Sequence, residues 1–242
     1  MTRMLAALRT DVALQARNGL YAISAVFSAI MAAALIWLSS ASSLQRTVPM
    51  GILFVVGGST LMYVVAMVLL ERDDGTLEAV SVSPLRPQEY LAAKVVSLSG
   101  LAVFEGLVLV GVAVVWLDRS SLGGATTPLL IAGLVGLGVL HTLVGIIIVV
   151  RYSRIMEALM PMGLVAVVFQ VPALYFIGAL PSRVALVVPS AAPAMLVRAA
   201  FVPLEGWEWT YALVGTGLST VLAAIWAHRA FVHHIIRKGV RA

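Results

Sequence analysis

Long apolar segments separated by short polar ones dominate the hydrophobic pattern of this chain. They cover residues 19–38, 48–70, 95–117, 128–150, 158–180 and 211–232. Because a helix needs about 20 apolar residues to cross a bilayer core, each segment predicts one transmembrane helix. We therefore expect an all-α integral membrane protein whose residues 1–242 form a single domain with six spans.

Two further stretches predict helices that do not cross the bilayer. In residues 1–18, Met4, Leu5, Leu8 and Val12 share one helical face. This predicts an amphipathic helix in the headgroup region, with a solvated tail as the alternative. In residues 181–209, four prolines divide an apolar stretch into pieces too short to span. We expect re-entrant or extracellular helices there, forming a broken hairpin before the last span.

The composition leaves no room for a separate soluble domain. The chain is 61% hydrophobic and 11% charged, and its mean hydropathy is +1.04. It has no cysteine, which excludes a disulfide and thiol catalysis. The net charge of +5 is compatible with a nucleic-acid partner, but the bases are scattered among loops without a basic stripe, so we expect no nucleic acid.

The lysines and arginines are distributed unevenly about the six predicted spans. Twelve of the 16 lie on the side that holds both termini and the loop at 71–94. The positive-inside rule places this side in the cytoplasm. Arginine outnumbers lysine 14 to 2, which fits a GC-rich bacterial genome. We therefore expect a multi-pass protein of the bacterial cell membrane with both termini cytoplasmic.

The loop at 71–94 has the highest charge density in the chain, with five acids and three bases. Asp73 or Asp74 can cap a helix of about two turns, which Ser83-Pro84 ends. A helix this short is marginal alone in water. We expect its own spans or a partner protein to brace it.

The spacing of residues in this loop resembles the loop after the second span in type-2 ATP-binding-cassette (ABC) exporter permeases. The residues that carry this resemblance are Glu71-Arg72, Gly75-Thr76-Leu77-Glu78, Ser83-Pro84, Glu89 and Lys94. The start of the chain (MTR, ALR, LQ.R) and the segment SPLRPQEYLAAK are similar to actinobacterial permeases of the fluoroquinolone-export type. The amphipathic start, the six spans and the broken hairpin extend the resemblance over essentially the whole chain.

The resemblance implies the membrane subunit of an ABC exporter, which moves an apolar or amphipathic substrate such as a drug or a lipid out of the cell. It implies a second permease chain, identical or paralogous, and a separate ATPase subunit that holds ATP and Mg. Neither lysine stands in a G-x-x-x-x-G-K-[ST] motif, so we expect no enzyme activity and no bound cofactor in this chain alone. Three histidines near the tail have no accompanying carboxylates, so we expect no metal.

The residues expected to couple the chain to the ATPase lie in two cytoplasmic loops. The first loop offers Leu77 and Val80 as apolar anchors, with acids at the rim. The full set is Glu71, Arg72, Asp73, Asp74, Gly75, Thr76, Leu77, Glu78, Val80 and Pro84 in the first loop, with Arg154 and Glu157 in the second.

The pattern places the carboxylate of Glu105 inside a span. Burying an ionisable group there costs free energy, and such groups are often functional. Glu105 either belongs to a substrate or proton path, with His141 as a candidate partner, or is a packing residue held by Ser or Thr hydroxyls. A secondary transporter or channel coupled through Glu105 is therefore the alternative function. A third is a membrane assembly factor, which predicts no ATPase partner.

Polar and aromatic residues also mark the fifth span. Gln170 lies beside Pro172, where a kink frees carbonyls that need partners. Together with Phe169, Tyr175 and Phe176, it either lines the substrate path or packs against other helices and lipid.

Overall fold

The computed structural model describes residues 2–38, 44–77, 85–117, 126–180 and 183–236, and this part of the chain contains helices and no strand. The helices are α1 (Thr2–Arg17), α2 (Leu20–Leu38), α3 (Leu44–Asp73), α4 (Pro87–Leu117), α5 (Thr126–Val149), α6 (Ile155–Phe176), α7 (Ala191–Ala199) and α8 (Gly206–Phe231). A 3₁₀ turn, Arg183–Val187, precedes α7, and a π-helical turn, Val232–Ile236, follows α8.

Six of the described helices are long and apolar enough to cross a membrane, namely α2, α3, α4, α5, α6 and α8. The predicted all-α membrane protein with six spans is thus confirmed. The outer faces of α2, α6 and α8 expose large apolar side chains, among them Ile30, Met160 and Leu213. Such faces meet lipid or another membrane chain.

Helix α5 lies at the centre of the bundle and packs against α3, α4, α7 and α8. Its glycines permit this close approach. A Cβ on Gly133 would lie 2.6 Å from the backbone nitrogen of Val197 in α7, and a Cβ on Gly138 would lie 2.9 Å from Ala102 in α4. In a membrane the hydrophobic effect does not drive helices together, and small residues let helix backbones pack closely instead.

Helix α4 begins at Pro87, which is earlier than the predicted start at residue 95. Proline is favoured in the first turn of a helix because a backbone N–H at that position would have no partner within the helix. The carboxylate of Glu89 accepts a 2.9 Å hydrogen bond from the backbone N–H of Arg86, which supports this start. The difference matters because it moves Lys94 from the predicted loop into the helix.

Helix α3 continues to Asp73, beyond the predicted end at residue 70, and the chain then turns. Gly75 adopts φ +69°, a left-handed conformation that glycine tolerates and that commonly ends helices. Asp73 therefore ends a helix and does not cap the start of the next one. Thr76 and Leu77 are helical, and the rest of the predicted two-turn helix lies outside the described residues.

Helix α1 forms where the amphipathic pattern predicts it, but its inward face is partly polar. Asp11 and Gln15 are buried against the bundle, whereas Leu5 and Val12 are exposed. The exposed apolar side chains are available to a membrane surface. The location of α1 in the headgroup region stays a prediction.

The proline-rich segment before the last span forms the 3₁₀ turn and α7. Every residue from Ala191 to Val197 is buried, and α7 packs against α3, α5 and α8. A 2.7 Å salt bridge from Arg198 Nη1 to Glu208 Oε1 ties the end of α7 to the first turn of α8. The segment therefore contains a short helix held inside the bundle, and its extracellular location stays a prediction.

Candidate functional site

A buried ion cluster joins α1, α3 and α4 at one end of the bundle. Lys94 Nζ lies 2.6 Å from Asp11 Oδ1 and also donates to Glu71 Oε1. The hydroxyl of Tyr90 donates to the other oxygen of Glu71 at 2.6 Å. We call these four residues the Lys94 cluster. Lys94 is 1% exposed, so its charge is balanced by the two carboxylates and not by water.

The Lys94 cluster changes how the predicted coupling loop is interpreted. Glu71 was expected to contribute to the ATPase-binding surface, but its carboxylate points inward to Lys94 and Tyr90. Leu77 was expected to be an apolar anchor for the partner, but it is 1% exposed and packs in the core of this chain. Both residues therefore hold the base of the loop in this structure and do not present a contact surface.

Other residues of the same loop lie on the surface. Asp73 and Asp74 are exposed, and Gly75 is half-buried in the turn that follows them. The hydroxyl of Thr76 donates to the backbone carbonyl of Glu71 at 2.9 Å, which closes this turn. The predicted coupling residues Glu78, Val80 and Pro84 lie outside the described residues.

The two predicted coupling loops lie side by side. The guanidinium of Arg72 donates to the backbone carbonyl of Tyr152, which follows α5. Arg154 and Glu157 are exposed just beyond this contact. The exposed charges of both loops therefore share one end of the bundle, the end at which the Lys94 cluster also lies.

A second polar cluster surrounds Glu105 in the middle of α4. Glu105 is fully buried, and one carboxylate oxygen accepts a hydrogen bond from Ser59 Oγ. Tyr63, one turn further along α3, donates to the other oxygen at 3.4 Å, and its hydroxyl lies 2.8 Å from that of Ser24 in α2. Hydroxyl groups thus hold Glu105 between helices, as the packing alternative predicts.

His141 does not pair with Glu105. Its Nδ1 lies 2.8 Å from the carbonyl of Leu137, one turn back on α5, and its Nε2 has no hydrogen-bond partner within the described residues. Gly57 of α3 faces this nitrogen, and a Cβ there would lie 2.9 Å from it. The missing side chain leaves room for the imidazole between α3 and α5.

Gln170 crosses from α6 to α3. Its Nε2 donates to the backbone carbonyl of Leu53 at 3.1 Å, so the amide satisfies a carbonyl of another helix and not one freed by the Pro172 kink. A Cβ on Gly57 would lie 3.2 Å from the same nitrogen, so Gln170 and His141 flank one glycine.

The three predicted aromatic residues divide between separate environments. Phe169 is buried and meets the His141 ring edge-on, with 5.3 Å between the ring centroids. Tyr175 and Phe176 pack edge-on at 5.9 Å, and Phe176 is buried. Of the three, Phe169 alone lines the large cavity described next.

An apolar cavity of about 710 Å³ lies between α5, α6 and α8. Its walls include Val144 and Ile148 of α5, Val165 of α6, and Leu218 and Leu222 of α8. The 3₁₀ turn borders one end and Arg151 stands at the other. Its size and lining are typical of sites for small or elongated apolar ligands.

Three features that the hydrophobic pattern does not predict have weaker signals in the sequence. Asp11 stands three residues after Leu8 and seven after Met4, which places it on the same face of a helix as these two apolar residues. Ser59 and Tyr63 are four residues apart, which places both on one face of a helix. Lys94 follows the helix-start signal of Pro87, which should have placed it inside a span.

Comparisons with known proteins give one consistent result. Residues 2–239 match the profile of a family described as the fluoroquinolones export permease protein family. Two similar proteins, both described as fluoroquinolones export permease proteins, come from Mycobacterium tuberculosis strains CDC 1551 / Oshkosh and ATCC 25618 / H37Rv. Each is 30% identical over 225 residues, which cover 88% of this chain and 88% of the relative.

Proposed function

Because this chain belongs to the fluoroquinolones export permease protein family, we propose that it is the membrane subunit of a drug exporter powered by a separate ABC-type ATPase. The substrate is an amphipathic drug of the kind that the relatives' names give. A second permease chain, identical or paralogous, completes the translocation path. The charged end of the bundle faces the cytoplasm, as the distribution of basic residues predicts.

The observation that carries the ATPase coupling is the contact between the two charged loops. Arg72 in one loop donates to the Tyr152 carbonyl in the other, so a displacement of either loop acts on the other through this hydrogen bond. A partner that docks on this end meets Asp73, Asp74 and Arg154 on a single surface. Such a surface suits a motor subunit that must transmit movement to several helices at once.

The Lys94 cluster extends this coupling into the membrane helices. Glu71, at the base of the first loop, is tied to Lys94 in α4, and Lys94 is tied to Asp11 in α1. Force on the loop therefore reaches α1, α3 and α4 through buried charge pairs, which resist separation because breaking one leaves an uncompensated charge.

A secondary transporter is the second candidate, and the burial of Glu105 favours it. An ionisable group buried in the middle of a span is energetically costly and often belongs to an ion or proton path. In that mechanism the proton gradient, and not ATP, would drive export.

Inverted membrane vesicles from the native host separate the two mechanisms. With an uncoupler present, we expect ATP to drive fluoroquinolone uptake, and vesicles from a strain lacking this chain to show none. Uptake that depends on respiration and is abolished by the uncoupler would instead assign a secondary transporter. No uptake under either condition would remove drug export altogether.

Charge reversal tests the docking surface. Arg154→Glu reverses the charge of the base that a docked partner meets beside Asp73 and Asp74. We expect ATP-driven uptake to fall by roughly fivefold or more, since an acidic group that pairs with Arg154 would then meet a like charge. Arg17→Glu is the matched control, because Arg17 is also exposed but lies at the end of α1. Equal uptake in the two variants would exclude the loop surface as the coupling element.

A further inference from the structure

The apolar cavity has the dimensions of an extended hydrocarbon chain. Along α5 and the turn that follows it, the lining runs from Leu140 to Arg151, and along α8 it runs from Tyr211 to Trp226. At 1.5 Å per helical residue these stretches are about 17 and 23 Å long. The cavity therefore extends along the membrane normal as a groove through most of one leaflet or more, and we call it the Arg151 groove.

The charge of the groove is concentrated at one end. Arg151 is the only charged residue among the described residues that line the groove, and it stands just beyond the end of α5. Its guanidinium lies 6.0 Å from the centre of the Trp226 ring. Arginine and tryptophan together mark the level of lipid headgroups at a membrane boundary.

The opposite end of the groove is apolar and lies against the 3₁₀ turn. Leu186 and Val187 of the 3₁₀ turn line it, and the hydroxyl of Tyr211 donates to the carbonyl of Leu186 at 2.6 Å. A ligand that fills the groove thus has a long apolar part, directed toward the 3₁₀ turn, and an anionic head beside Arg151.

We propose that the Arg151 groove binds one anionic glycerophospholipid, with an acyl chain between α5, α6 and α8 and the phosphate on Arg151. Basic residues at the mouth of apolar grooves between membrane helices recognise lipid phosphates. The predicted topology places Arg151 at the cytoplasmic face, where anionic lipids are abundant. The lipid holds α6 and α8 at a fixed separation. This site goes beyond the proposed function and does not depend on it.

Lipid retention by the purified full chain tests the proposal. The chain is reconstituted in nanodiscs that contain phosphatidylglycerol and phosphatidylcholine with identical acyl chains, then released and analysed by native mass spectrometry. We expect wild type to retain phosphatidylglycerol in preference to phosphatidylcholine. Arg151→Gln should reduce that preference about fivefold, because this is the typical effect of one basic residue on the binding of an anionic headgroup. Arg183→Gln is the matched control, because Arg183 also stacks on a tryptophan, Trp207 at 4.9 Å, but does not line the groove.

Filling the groove tests the location of the acyl chain. Ser219 lines the groove on α8, and Ser219→Phe is expected to lower retention of both lipids. Leu213→Phe, on the exposed face of the same helix, is expected to leave retention unchanged. Monodispersity on size-exclusion chromatography and thermal unfolding confirm that each variant is folded, and Leu222→Trp replaces Ser219→Phe if that variant aggregates.

Several outcomes would overturn the site. Equal retention of the two lipids by wild type would exclude recognition of the net negative charge of the headgroup. An equal loss in Arg151→Gln and Arg183→Gln would show only a general effect of surface charge. Displacement of phosphatidylglycerol by a fluoroquinolone would assign the groove to the transported substrate, and a change in oligomeric state without loss of lipid would assign it to a second copy of the chain.

Discussion

Replacing Lys94 by methionine is expected to destabilise the fold much more than removing an exposed charge. Lys94 Nζ lies 2.6 Å from Asp11 Oδ1 and donates also to Glu71, and its side chain is 1% exposed. Methionine keeps much of the apolar length but has no ammonium group. Asp11 and Glu71 would then remain close together in a buried site without the cation that separates their charges.

The magnitude follows from the geometry of the cluster. At 2.6 Å and an effective dielectric constant of about 20, one charge pair attracts by about 6 kcal/mol, and desolvation of the ammonium group offsets part of this. Removing one partner of a buried pair typically costs about 3–5 kcal/mol. Since Lys94 serves two carboxylates, we expect the free energy of unfolding to fall by about 4 kcal/mol.

Chemical unfolding of the purified chain in a mild detergent measures this change through tryptophan fluorescence. Arg86→Met is the matched control, because Arg86 is exposed immediately before α4, and we expect its effect to stay within about 0.5 kcal/mol. In a triple variant, Lys94→Met is combined with Asp11→Asn and Glu71→Gln. We expect this variant to recover most of the loss, because neutral groups of similar shape leave no unpaired charge.

Two results would refute this reasoning. A loss below about 1 kcal/mol in Lys94→Met would mean that the carboxylates tolerate the missing cation. A triple variant as unstable as Lys94→Met alone would mean that the methionine disturbs packing and that charge pairing contributes little.

Three further predictions concern helix packing, the buried carboxylate and the topology. Gly133→Ala should lower the free energy of unfolding by at least about 2 kcal/mol, because its Cβ would lie 2.6 Å from the α7 backbone. Gly163 has open space around it, so Gly163→Ala should be neutral or slightly stabilising in the same unfolding assay. Glu105→Gln should leave folding intact, and wild-type fluoroquinolone uptake in vesicles would identify Glu105 as a packing residue, whereas reduced uptake would place it in the path. Accessibility tags at Asp74 and Ser121 should report opposite sides of the membrane, with Asp74 in the cytoplasm, and finding both on one side would exclude the six-span topology.

The spans, their number and the family pattern were readable from the sequence because they depend on local composition. A helix in lipid satisfies its own backbone hydrogen bonds and needs only a continuous apolar surface, so each span is encoded within its own residues. Gly133 and Gly138 stand in the fourth span, where small residues permit close packing, but the sequence does not show which helices each of them meets.

The pairing of polar groups between helices was decided only by the tertiary structure. Lys94 looked like a base in an aqueous loop, but its partner Asp11 is 83 residues away, and no local pattern links the two. The sequence predicted Leu77 to be an exposed anchor, but in the structure it is buried in the core. Residues of four helices, α5 to α8, and of the turns that contain Arg151 and Leu186 line the Arg151 groove. Such contacts depend on how whole helices pack, because the burial of a charge is determined by neighbours distant in sequence and not by the residues beside it.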